Sequence, residues 1–106
     1  EESAVNIPNN EYIDCLPDRI VVEVPAKINN QGIHGIILKN YPKGFGNLLN
    51  SQVGVIQLTT EAILSKSKHF AYLALLADPV VDNAIAAEKL LDNIIEKQSE
   101  FLGYLN

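Results

Sequence analysis

The chain has 106 residues, a net charge of −5 and 47% hydrophobic residues, which suits one domain with a modest core. The acidic balance excludes nucleic acid and anionic membrane surfaces as partners, because nothing here would neutralise phosphates. No apolar run approaches the roughly 18 residues of a membrane span, and no basic-then-apolar leader opens the sequence. The single cysteine, Cys15, cannot close an internal disulfide, which fits a reducing, cytoplasmic compartment. The sequence contains no methionine and begins Glu1-Glu2. A glutamate after an initiator disfavours its removal, so the chain is read as a piece of a larger protein.

Residues 3–7 read as a short strand, ended by Pro8 and the turn-forming pair Asn9-Asn10. Tyr12 and Ile13 are read as the start of a return strand, and Pro17-Asp18 as a second turn. The β-branched run over residues 19–24 is the strongest strand signal in the chain. Pro25 restricts backbone pairing where it stands, which predicts a sheet edge or a strand end. Asn29-Asn30-Gln31-Gly32 reads as a hairpin turn with Gly32 at positive φ, and Ile33 to Leu38 as the partner strand.

Composition changes after Tyr41-Pro42. Phe45, Leu48, Leu49, Val53, Ile56, Ala62 and Ile63 recur at helical spacing. Gly44, Gly46 and Gly54 each weaken that helix by about 1 kcal/mol relative to Ala, and interior Gly54 is tolerable if something packs closely against it. Ser65-Lys66-Ser67 breaks the helix, and Ser67 caps a second one over 68–77. That helix is apolar nearly all round, which predicts burial. Asp78-Pro79 ends it. Ala87, Leu90, Leu91, Ile94, Ile95, Phe101 and Leu102 then form one stripe of an amphipathic helix. Strands first and helices after define an α+β fold, strand-rich over 1–40 and helical over 44–105. The chain is treated as a single domain.

Motifs that carry chemistry are mostly absent. There is no G-x-G-x-x-G, and Gly44-Phe45-Gly46 lacks its third glycine. No Ser-centred elbow and no His/Cys pair at metal-ligand spacing occurs. No catalytic, cofactor-binding or metal-binding residue is therefore assigned within these residues. Glu23 and His34 are the candidates for a cleft wall. Glu23 interrupts an apolar strand, which places it either on the solvent face or towards a polar cleft. His34 follows a turn among isoleucines, either as a satisfied structural side chain or as pocket lining. Cys15 reads as a small apolar filler and His69 as a surface residue.

Leu16-Pro17-Asp18 followed by Val21-Val22-Glu23-Val24-Pro25-Ala26 and then Gly32-Ile33-His34 resembles the C-terminal half of the NAD- and divalent-metal-dependent glycosidases of glycoside hydrolase family 4. These carry an LPDD-x-VVEVPA segment followed by GIHP. Asn6-Ile7-Pro8-Asn9 is similar to the family's N-x-x-N lead-in. Gln52 to Ala62 resembles one of its helices, and Leu75-Leu76-Ala77-Asp78-Pro79 its LLLDP. The sequence departs from the pattern at Glu11, where the family has Gly, at Cys15, where it has Asn, and at Gly35, where Pro follows His. The resemblance implies a C-terminal α+β half related to that of lactate and malate dehydrogenases, preceded by a Rossmann half missing here. It implies NAD as an oxidant of the sugar at C3, elimination of the aglycone, and a divalent metal, typically manganese, as Lewis acid. The implied partners are a small-molecule sugar, the missing Rossmann half and further copies in a homo-oligomer. The implied nucleotide glycines and metal ligands lie upstream, so this piece alone is expected to be inactive. Two alternatives stay open: the corresponding part of a 2-hydroxy-acid dehydrogenase, and a stand-alone interaction module.

Overall fold

The computed structural model describes residues 1–105. The chain divides into two compact units, residues 1–50 and the residues from 51 onward.

The first unit is built on strands β1 (Glu2–Pro8), β2 (Val21–Asn29) and β3 (Gly32–Gly35), antiparallel in the order β1-β2-β3. Strand β2 is central because its alternation fits a half-buried sheet. Val22, Val24 and Ala26 are buried, while Val21, Glu23 and Lys27 are exposed. Ile13, Val22 and Val24 form the core, and Ile7, Tyr12, Leu16, Ile20, Leu38 and Tyr41 pack against it. The expected hairpin is present: Asn29 pairs with Gly32, Asn30-Gln31 make the turn, and Gly32 takes φ 122°.

Pro25 behaves differently from the expectation. It marks neither a sheet edge nor the end of its own strand; β2 runs through it to Asn29. The reason is which neighbour it faces. Its carbonyl accepts from the Ile36 N–H at 2.8 Å, so its backbone points towards β3, while the β1 register shifts beside it, between Glu2↔Ala26 and Val5↔Val24. A hydrogen-bonded antiparallel pair exchanges two bonds, and Pro25 has no N–H to return to Ile36. The proline therefore ends β3. That strand stops at Gly35 instead of continuing to Leu38.

Tyr12 and Ile13 do not form a return strand. Residues 10–19 are an irregular loop wound around one buried amide. Asn9, 3% exposed, donates through Nδ2 to the carbonyls of Ile13 (3.1 Å), Leu16 (3.0 Å) and Pro17 (3.2 Å). Its Oδ1 accepts from the Ile13 N–H at 3.1 Å. Its backbone donates to the Ile20 carbonyl and accepts from Arg19. Left-handed turns at Glu11 (φ 59°) and Arg19 (φ 68°) reverse the chain. The loop satisfies much of its polar backbone locally, and the Tyr12 carbonyl accepts from the more distant Leu38 N–H at 2.8 Å.

Helix α1 (Lys43–Ser65) starts in the first unit and continues into the second. A side chain at Gly46 would collide with the Cys15 sulfur, and Asn50 Nδ2 donates to the Cys15 carbonyl at 2.7 Å. Glycine is therefore needed at 46 for close approach of the loop. Nothing lies within 4 Å of where a Cβ on Gly54 would be, so no close neighbour accounts for that glycine.

In the second unit, Ser67 caps α2 (Lys68–Ala77), its hydroxyl accepting from the Phe70 N–H at 3.3 Å, and Asp78 closes the helix. The predicted burial of α2 is only partly met. Ala74 is its one buried residue and Leu76 is 39% exposed, because a short helix packed on one neighbour covers one face. Asn83 caps α3 (Ala84–Lys97), its Oδ1 accepting from the Ala86 N–H at 2.9 Å. The predicted single stripe is broken at Gln98, after which α4 (Ser99–Leu102) follows. Ala87 and Leu91 are buried, whereas Leu90 and Phe101 are exposed. The buried residues of this unit are Val53, Ala62, Ala74, Ala87 and Leu91, drawn from α1, α2 and α3.

Candidate functional site

The two candidate wall residues lie on the same face of the sheet. Glu23 stands opposite Asn6, and His34 stands opposite Lys27. Glu23 and Lys27 are both exposed and an even number of residues apart, so all four side chains belong to the face turned from the core. They do not converge. Four residues of strand separate Glu23 from Lys27, roughly 13 Å at about 3.3 Å per residue, which leaves Glu23 and His34 too far apart to share a proton or a ligand.

Cys15 is half-buried with its sulfur against Gly46, as expected of a filler. His69 is exposed at the start of α2, where it lines a shallow depression with Lys68, Tyr72 and Glu88. Lys68 pairs with Asp92 at 2.5 Å, and the Tyr72 hydroxyl donates to the Ala84 carbonyl at 3.2 Å. Both polar ends are thus in structural use.

An apolar pocket of about 330 Å³ lies in the helical unit. Ala62, Ala74 and Leu91 form its floor, and Thr59, Asp78 and Tyr104 contribute its polar groups. The Thr59 hydroxyl donates back to the Val55 carbonyl, and Asp78 Oδ1 accepts from the Val80 N–H. No nucleophile is set beside a base there. The pocket was invisible to sequence reasoning, since its walls come from helices far apart in the chain. Asn9 reads as a turn former after Pro8, but the carbonyls its side chain gathers lie four to eight residues on and were not foreseen.

The described residues do not fit either implied cofactor by themselves. Among the described residues no group of three His, Cys, Asp or Glu side chains could hold a metal ion. Gly46 serves the Cys15 contact, so Gly44-Phe45-Gly46 offers no dinucleotide cradle. Among the described residues no helix is long and apolar enough to cross a membrane.

Against known families, the model of the family 4 glycosyl hydrolase C-terminal domain matches residues 1–81. The chain belongs to glycoside hydrolase family 4. Its match is to the C-terminal domain of that family, as the Leu16 to His34 segment suggested. The chain is 45% identical over 105 residues to an alpha-glucosidase of Erwinia rhapontici, covering 99% of this chain and 23% of that protein. It is 31% identical over 98 residues to the 6-phospho-beta-glucosidase BglT of Thermotoga maritima, covering 92% of this chain and 24% of that protein. Among solved structures it resembles a 6-phospho-alpha-glucosidase from gut microorganisms in complex with NAD and glucose-6-phosphate. The TM-score is 0.90 at 26% identity, over 100% of this chain and 24% of that one. The expected α+β class, with antiparallel strands before helices, is therefore borne out. The chain spans about a quarter of the length of these relatives.

Proposed function

We propose that these residues are the C-terminal part of a two-domain family 4 glucosidase that cleaves glycosidic bonds by NAD-dependent oxidation and elimination. The observation that carries the reading is the 45% identity to an alpha-glucosidase across 99% of the chain. On this reading the strand-rich 1–40 and helical 44–105 portions supply a wall and packing surface, and the chemistry belongs to residues outside 1–106. NAD and a divalent metal, manganese by family resemblance, are held there too: among the described residues no group of three His, Cys, Asp or Glu side chains suits a metal, and the sequence has no G-x-G-x-x-G. Glu23 and His34 are the wall candidates, turned to the same side of the sheet. The parent acts in the cytoplasm and works as a homo-oligomer.

An α-glucoside is the favoured substrate. A 6-phosphorylated glucoside is the second reading, favoured by the glucose-6-phosphate held in the related structure. The test uses the full-length protein carrying this segment and residues 1–106 alone, each assayed on nitrophenyl α-glucoside and its 6-phosphate with NAD⁺ and Mn²⁺. Turnover of one of the two by the full-length protein, and of neither by the short chain, is expected. A thermal shift completes the test: strong stabilisation of residues 1–106 by NAD⁺ would overturn the placement of the nucleotide site outside them.

A further inference from the structure

We draw no further inference here: the strongest candidate, the apolar pocket of the helical unit floored by Ala62, Ala74 and Leu91, carries none because nothing in the structure shows what covers it.

Discussion

Replacing Asn9 with Ala tests whether one buried amide organises the loop from residue 10 to 19. The side chain makes four hydrogen bonds, three donated by Nδ2 and one accepted by Oδ1. An amide nitrogen carries only two hydrogens, so the three donated contacts count as about two full bonds. With the accepted bond that is about three, each contributing about 1 kcal/mol net. Stripping the partner from the buried Ile13 N–H adds about 1 kcal/mol or more of unrelieved desolvation. The expected loss is about 3–5 kcal/mol, a large share of a stability of about 5–15 kcal/mol. Urea unfolding of the chain followed by circular dichroism measures it, and the amides of Ile13 and Arg19 should lose exchange protection first. Asn9→Asp sharpens the test. It keeps an acceptor for Ile13 but turns a carboxylate towards three carbonyls, so the folded pKa of this new group is raised. A raised pKa means its protonated form is favoured by folding. The penalty of the variant relative to wild type should then be smallest below about pH 3.9 and grow as pH rises through the folded pKa. A loss under about 1 kcal/mol for Asn9→Ala, or a pH-independent Asp penalty, would refute the hub role.

Gly46→Ala should cost about 1–3 kcal/mol through the clash with the Cys15 sulfur, offset by about 1 kcal/mol of helix propensity. Adding Cys15→Ala should restore most of the loss, and additivity in that double-mutant cycle would exclude the contact. Gly54→Ala should stabilise the chain by about 1 kcal/mol, since its Cβ meets open space; destabilisation in urea melts would show a neighbour there. Asn83→Ala should lose about 1 kcal/mol with the cap on Ala86, and Asn83→Ser should keep most of it, both read from the urea midpoint.

The functional candidates were legible only in part. The exposed position of Glu23 follows from alternation along β2 and was readable in advance. That His34 shares its face depends on the register Lys27↔His34, which the two-residue turn Asn30-Gln31 sets. That register also keeps the two side chains apart, and the sequence carried no measure of the separation. The family was legible because Leu16 to His34 holds its motif in one continuous stretch.

What the sequence alone determined is local. Val22, Val24 and Ala26 alternate into the core, Gly32 takes the one φ its turn requires, and Ser67 and Asn83 cap helices with their own side chains. The turn and the caps work through neighbours a few residues away, and the alternation is a property of the strand itself, so a short sequence window carries each signal. The tertiary structure decided the rest. Asn9 gathers carbonyls up to Pro17 and so turns Tyr12 and Ile13 into a loop, Pro25 ends the strand opposite instead of its own, and Cys15 occupies the space a side chain at Gly46 would need. In each case the partner is brought in by the fold, and a hydrogen bond or a steric contact acts only where both of its sides meet.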